Sequence, residues 1–262
     1  MADEEFLELN TELTLLCSWF CPFAQRTWIA LLEKGLPFAY KEVSLRNPDT
    51  GLWYPLTEKP KWFTALNPLG KVPVLAYKDE KTQQPHSVYE SLICNEFLED
   101  YAPAPGHPPL LPPHPALRAK ARIVMDHFNT RFVPLFYRIL IRQDVGQQAE
   151  VAEQLQAECD WLEDNADQAG PFFMGTEFSL VDCAMIPWFV RGYILKHFRQ
   201  LELPPQRCTK LQRWVKAALE RPSVKGTFQA PEEGTSYEDK LLEHYVRYAD
   251  GSANSTSAAA FK

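Results

Sequence analysis

The chain has 262 residues, 45% hydrophobic and 23% charged, which is enough for two domains of ordinary size and is globular rather than disordered in composition. A formal net charge of −7 argues against a dominant nucleic-acid surface, and six cysteines scattered at 17, 21, 94, 159, 183 and 208 form no disulfide framework. A reducing, cytoplasmic compartment is the expectation. The acidic start Met1-Ala2-Asp3-Glu4-Glu5 lacks a signal-peptide pattern, and the longest apolar stretches are interrupted by Arg138, Asp182 and Arg191, so no constitutive membrane span is expected.

In chain order, residues 13–18 read as a buried strand and 22–34 as a helix that Gly35 closes. Residues 38–43 alternate like a strand. Residues 46–58 carry turn signals and two aromatics and read as a loop insertion. A short helix begins at Lys59-Pro60-Lys61-Trp62-Phe63 and ends near Asn67-Pro68-Leu69-Gly70. The next strand, residues 71–77, holds Pro73 near its start, a candidate for a cis bond. A hairpin returns through residues 86–89, and a helix runs from Glu90-Ser91 to about Tyr101. This βαβ unit followed by ββα predicts a small mixed sheet with helices on both faces.

The proline-dense segment 102–115 reads as a stiff linker. Beyond it every long segment has helical spacing, with helices expected over 116–142, 147–166, 180–197, 208–220 and about 236–248. Ser179-Leu180-Val181-Asp182 has the form of a capping box with aspartate at the third helical position. The expected domains are 1–101, α/β, and 116–250, all-α, with a small polar tail, 251–262, expected to be disordered.

Cys21-Pro22-Phe23-Ala24-Gln25-Arg26 lies where the first strand turns into the first helix. Unpaired backbone N–H groups and the positive end of the helix dipole converge there and favour a thiolate. Pro22 suits the first helical turn, and Arg26 is expected to add positive charge nearby. Ala24 occupies the position of a resolving cysteine, so a reactive Cys21 must complete its chemistry with an outside thiol. The structural alternative is a buried, inert cysteine. Cys17 reads as a core residue, and Cys94, Cys159 and Cys183 as packing residues. Trp161, Trp188 and Trp214, taken singly, also read as core. Glu90-Ser91, a carboxylate and a hydroxyl at a helix start, suits either an amine and carboxylate ligand or a plain helix cap. The six histidines show no metal-ligand spacing, and neither a G-x-S-x-G nor a Walker loop is present. No metal is expected.

The Cys21–Arg26 motif, Asn67-Pro68-Leu69-Gly70-Lys71-Val72-Pro73-Val74-Leu75, Tyr89-Glu90-Ser91-Leu92-Ile93, Ser179–Asp182 and Pro187-Trp188-Phe189 occur in that order. Together they resemble the cytosolic glutathione transferases, specifically the cysteine-type omega class and the similar lambda class, over about residues 13–248. The resemblance implies a thioredoxin-like N-terminal domain, an all-helical C-terminal domain and a substrate cleft between them. It implies Cys21 as the catalytic residue and glutathione as co-substrate. Phe23 would line the cleft, Lys59 reach the glycyl carboxylate, Val72 before cis-Pro73 offer its backbone, and Glu90 and Ser91 hold the γ-glutamyl end. Trp188, Arg191 and Tyr245 match positions that wall the second-substrate pocket. The insertion at 46–58 departs from the family pattern and raises the expectation that Lys59 is displaced.

The activity implied is thiol transfer and reduction through a Cys21–glutathione mixed disulfide, with dehydroascorbate and S-glutathionyl ketones as related substrates. The partners implied are glutathione, small hydrophobic or disulfide substrates and a second copy of the chain in a homodimer. Two rivals stand beside it. One is a non-catalytic ligandin for hydrophobic molecules. The other is a chloride-intracellular-channel-like protein, against which Ala24 and the retained Glu90-Ser91 speak.

Overall fold

β1 (Leu13–Cys17) is buried along its whole length because it is a central strand with a layer on each face. A computed structural model of the chain describes residues 9–47 and 49–255, and the chain divides into two units between Pro109 and Leu110, inside the proline-dense segment. In the first unit the sheet order is β2-β1-β3-β4. The remaining strands are β2 (Phe38–Glu42), β3 (Val74–Lys78) and β4 (Pro85–Tyr89). β1 pairs parallel with β2, through the crossover helix α1 (Pro22–Glu33), and antiparallel with β3, which pairs antiparallel with β4.

The register decides where the loops emerge. Cys17 lies opposite Glu42, Leu16 opposite Val74, and Val74 opposite Tyr89. The chain leaving β1, the chain leaving β2, the chain entering β3 and the chain leaving β4 therefore all meet at one end of the sheet. Gly35, at φ +62°, closes α1, and the Leu36 N–H returns to the Leu31 carbonyl at 3.2 Å. α2 (Lys61–Leu66) is short, and α3 (Ser91–Tyr101) packs against α1. The buried Lys34 ammonium binds Glu99 at 2.7 Å and the Pro108 carbonyl at 3.1 Å, tying the end of α1 to α3 and to the last residues of this unit.

In the second unit the expected helix over 116–142 is divided. α4 (Pro115–His127) passes through a wider π-helical turn, Phe128–Phe132, into α5 (Val133–Ile141). Pro134 has no N–H for the carbonyl one turn back, and its ring needs room there. The Val133 N–H instead reaches the Phe128 carbonyl, five residues back. The apolar residues of this segment that exceed one stripe, Phe128, Phe132, Leu135, Phe136 and Ile139, are core, whereas Ile123 is 64% exposed. α6 (Val145–Asn165) follows.

The expected helix over 180–197 is likewise two, α7 (Leu180–Val190) and α8 (Gly192–Arg199), broken at Arg191. A Cβ on Gly192 would stand 2.8 Å from the Leu203 carbonyl oxygen, so the close approach at the start of α8 requires glycine. α9 (Thr209–Leu219), the short α10 (Pro222–Lys225), which helical spacing does not announce, and α11 (Tyr237–Ala249) complete the unit. The expected disordered tail is corrected for residues 251–255. The Ala253 N–H binds the Arg247 carbonyl at 2.8 Å, and the Tyr248 and Ser255 hydroxyls pair at 2.7 Å. The remainder of that tail lies outside the described residues. No helix among the described residues is long and apolar enough to cross a membrane.

The capping box forms and does more than start α7. The fully buried Asp182 carboxylate accepts the Ser179 N–H and hydroxyl, both at 2.7 Å, the Phe173 N–H at 2.9 Å and the Trp214 indole N–H at 2.7 Å. Burial raises its pKa, and these four donors oppose the rise. Asp182→Ala leaves the donors buried without an acceptor and is expected to cost about 3 kcal/mol or more in urea unfolding. A loss below about 1 kcal/mol would mean that the donors find other partners.

Candidate active site

Cys21 is the residue before α1, in extended conformation, and its N–H closes a turn onto the Ser18 carbonyl at 2.8 Å. Pro22 takes the first helical position. The thiol is half-buried, while the other five cysteines are buried and all six are thiols. Burial, followed by the nearby Cys21 and Glu42, raises the pKa of Cys17 well above its ordinary value. Burial pushes Cys94 up to about 12 and Cys208 to about 11, and it raises Cys159 as well. These four are held as neutral thiols at physiological pH.

The second functional loop is the one that enters β3. The Val72–Pro73 peptide is cis, and both residues are buried where the strand begins. Lys59 lies between the insertion and this loop. Its ammonium donates to the Gly70 carbonyl at 2.6 Å, just before Lys71-Val72. Gly70 has φ +58°, and a Cβ there would lie 2.6 Å from Leu56 Cδ1 and 2.9 Å from Lys59 Cδ, so glycine is what lets the lysine cross this loop. Burial, and to a lesser extent the Lys71 ammonium, lower the pKa of Lys59. An anion entering here would relieve that repulsion.

The third loop leaves β4. Glu90 precedes α3 with φ +69° and an exposed side chain, an unusual backbone for a non-glycine residue that carries about 1–3 kcal/mol of strain. Ser91 opens the helix with its side chain largely buried. Its hydroxyl accepts from Arg26 Nη1 at 3.1 Å, and its carbonyl accepts from the Thr27 hydroxyl at 3.4 Å. Arg26 is 1% exposed, with its guanidinium 5.3 Å above the Phe23 ring. Its bond to Ser91 joins α1 to the start of α3.

Cys21, Phe23, Lys59, Val72, Pro73, Glu90 and Ser91 thus sit on the loops and helix starts at one end of one sheet. Sequence reasoning missed the partners of the turn before Cys21. Glu42 accepts the Trp19 N–H at 3.2 Å and the Tyr40 hydroxyl at 2.5 Å, and the Val43 carbonyl accepts the Ser18 hydroxyl. Desolvation raises the pKa of Glu42, and the hydrogen bonds from Tyr40, Trp19 and Ser18 oppose the rise. No spacing rule couples residues so far apart in the chain. Among the described residues no group of three or more His, Cys, Asp or Glu side chains is placed to hold a metal.

In the helical unit Trp188 and Arg191 are 0% exposed and Tyr245 is 1% exposed. Trp188 meets Phe128 edge-on at 5.6 Å, and Arg191 donates to the Pro187 carbonyl at 2.6 Å. Tyr245 packs between Phe136 and Tyr248, at 6.4 Å and 5.2 Å. Whatever else these three do, they are interior residues of this unit.

Iodoacetamide in limiting amount, followed by peptide mapping, is expected to label Cys21 first. Raising the pH from about 7 to about 9 should leave Cys17, Cys94, Cys159 and Cys208 unlabelled in the folded protein, because their raised pKa values keep them protonated over that range. Early labelling of Cys17 or Cys94 would contradict the assignment of Cys21 as the reactive thiol.

The family model of the glutathione S-transferase N-terminal domain matches residues 20–101, and that of the C-terminal domain matches residues 146–217. Glutathione S-transferase omega-1 of Mus musculus is 32% identical over 203 residues, which cover 78% of this chain and 75% of that protein. The crystal structure of glutathione transferase Omega 3C from Trametes versicolor is 36% identical with a TM-score of 0.71, covering 86% of this chain and 91% of that one. Rice GST1, solved in complex with glutathione, is 26% identical with a TM-score of 0.72 and covers 92% of this chain and 99% of that one. With both domain models matched, and matched in this order, the chain belongs to the glutathione S-transferases and is an enzyme of the omega type.

Proposed function

We propose that this transferase performs thiol transfer and reduction, removing glutathione from mixed disulfides through Cys21. The observation that carries the reading is a half-buried thiol at the start of a helix, with alanine three residues on, at the sheet end that also bears Val72–cis-Pro73 and Glu90-Ser91. The Cys21 thiolate attacks the glutathione sulfur of a mixed disulfide. A Cys21–glutathione bond forms, the original S–S bond breaks, and the electron pair leaves with the released thiolate, which takes a proton from water. A second glutathione thiolate then attacks the glutathione sulfur held by Cys21, releasing oxidised glutathione and returning the Cys21 thiolate. Val72 would pair its backbone with the cysteinyl part of glutathione. Glu90 would bind the γ-glutamyl amine, and Ser91 the adjoining carboxylate. Because the Ser91 hydroxyl already accepts from Arg26, its own proton can point outward to that carboxylate. Lys59, and Lys71 behind it, would meet the glycyl carboxylate. Reduction of dehydroascorbate or an S-glutathionyl ketone would use the same thiolate. As walls of a second-substrate pocket, Trp188, Arg191 and Tyr245 would act from within packed structure, so their substitution costs stability before it alters substrate choice.

Cys21→Ser is expected to abolish glutathione-dependent reduction of a β-mercaptoethanol mixed disulfide while leaving glutathione binding largely intact. Glu90→Ala should raise the glutathione requirement roughly 10- to 150-fold, the equivalent of about 1.5–3 kcal/mol for one charged hydrogen bond. Activity that survives Cys21→Ser but not Cys17→Ser would overturn the assignment.

A homodimer is part of the same proposal, with the N-terminal unit of one subunit packed on the helical unit of the other. Its support is the apolar surface each unit leaves open: Ile93 and Tyr101 on α3, and Leu117 and Ile123 on α4. Sedimentation equilibrium should give about twice the chain mass of 30.1 kDa, and a single-chain mass at micromolar concentration would defeat it.

A further inference from the structure

The insertion after β2 is a hairpin rather than an irregular loop. Arg46 and Trp53 form an antiparallel bridge, the Asn47 N–H reaches the Leu52 carbonyl at 2.9 Å, and the Tyr54 N–H reaches the Leu45 carbonyl at 3.0 Å. At its tip the Asn47 side-chain oxygen accepts the N–H groups of Asp49 at 2.9 Å and Thr50 at 3.0 Å. Residues opposite one another in an antiparallel pair project to the same face. Arg46 and Trp53 accordingly meet a single ring, that of Phe20. The guanidinium lies 4.8 Å over Phe20, and the Trp53 ring meets it edge-on at 5.6 Å.

Phe20 is the residue immediately before Cys21 and is buried. The rest of the turn is held from the same direction. The Val43 N–H donates to the Cys17 carbonyl at 2.7 Å, the Ser18 hydroxyl donates to the Val43 carbonyl, and the Trp19 N–H donates to Glu42 at 3.2 Å. Every residue from Cys17 to Phe20 is thus fixed by the segment 42–53. Of the groups assigned to glutathione, Val72, Glu90 and Ser91 belong to the opposite side of β1, on the loops of β3 and β4, while Lys59 follows the hairpin in the chain and is held by the Gly70 carbonyl on the β3 loop.

We propose that the paired segments 45–47 and 52–54 form a clamp that sets the geometry of Cys21, with Arg46 and Trp53 as positioning residues acting through Phe20. The inference deepens the reading of Cys21 as the reacting thiol and rests on it. A thiol displaced from the helix start loses both its alignment for attack and the N–H groups that favour the thiolate. Loosening the clamp should therefore lower reactivity without touching glutathione affinity. A residue that merely filled space would change stability alone.

The test compares Arg46→Ala, Trp53→Ala, Arg46→Lys and the exposed-tip control Leu52→Ala in the full chain. Three quantities are read: the rate of Cys21 alkylation by iodoacetamide, kcat and KM for glutathione in mixed-disulfide reduction, and the thermal midpoint. Arg46→Ala and Trp53→Ala are expected to slow alkylation and kcat about 10- to 100-fold with KM for glutathione held within about twofold. Arg46→Lys, which keeps a cation over the ring, should recover most of the loss, and Leu52→Ala should match wild type. Alkylation of Cys21 within about twofold of wild type in both alanine variants overturns the proposal, as does a loss that the lysine variant shares in full. If the alanine variants fail to fold, Arg46→Gln and Trp53→Phe take their place: alkylation slowed with KM for glutathione held supports the proposal, and alkylation within about twofold of wild type in both overturns it. Alkylation needs no glutathione, so a wild-type chain without thiol-transfer activity would count against the proposed function, while the alkylation rates would still decide for or against the clamp.

Discussion

The hydrogen-bonded register of β1 is the constraint on which the first unit depends. A central strand paired on both sides cannot slip by one residue without turning Leu13, Leu15 and Cys17 to the opposite face. With the register fixed, the ends of β1, β2 and β4 and the start of β3 fall together. The Cys21 thiol, the cis-proline loop and the strained Glu90 need no long-range signal to find one another. They are the exits and entrances of a four-stranded sheet. The helices enter in the same way, since α1 and α3 pack together with Cys21 and Glu90 at their starts. Two sets of helix N–H groups open toward one small volume, which suits a thiolate and a carboxylate together.

Arg26 is what makes those two helix starts a unit. A guanidinium buried to 1% exposure carries a large desolvation cost, so each of its interactions counts for more than the same contact at the surface. Its bond to the Ser91 hydroxyl is of the charged kind, worth about 1.5–3 kcal/mol, and the Thr27 bond to the Ser91 carbonyl lies beside it. The Cys-Pro-Phe-Ala-Gln-Arg stretch therefore carries two functions on one helix turn. Cys21 stands at the start of α1, where the proposed chemistry would take place, and Arg26 fixes Ser91, which in the proposed function would meet the other end of glutathione. The strain at Glu90 is borne in this setting, because α3 cannot shift to relax it without breaking the bridge to α1.

What the sequence reveals, and what it hides, follows from how local each signal is. β1, α1 and the closing Gly35 are legible because an apolar run, a proline at the first helical position and a glycine at the end act within a few residues. The Asp182 cap is legible for the same reason, although its reach to Phe173 and Trp214 is not. The interruptions at Phe128–Phe132 and at Arg191 are hidden because the apolar residues continue straight across both breaks, so periodicity reports one face where the backbone changes its turn. The packing of residues 251–255 is hidden because a small polar composition says nothing about one hydroxyl pair such as Tyr248 and Ser255. The bond from Lys59 to the Gly70 carbonyl is hidden because no spacing rule pairs a lysine with a carbonyl on the next loop. The bond from Arg26 to Ser91 is hidden because the two residues lie far apart in the chain and no local pattern couples them.

The two sides of β1 divide the work of the site. On the β3 and β4 side the backbone of Val72, the carboxylate of Glu90 and the hydroxyl of Ser91 present groups that a peptide-like ligand would bind, and they are tied to α1 by Arg26. On the β2 side the contacts are of another kind. Glu42, Val43, Arg46 and Trp53 spend their hydrogen bonds and ring faces on residues 17–20, the turn that delivers the thiol. A site organised in this way has largely separate supports for ligand and nucleophile. The edge strand β2 then has a reason to continue into a hairpin after its ladder ends at Glu42: Glu42 and Val43 hold residues 17–19, and Arg46 and Trp53 of the hairpin reach Phe20, the residue next to the thiol.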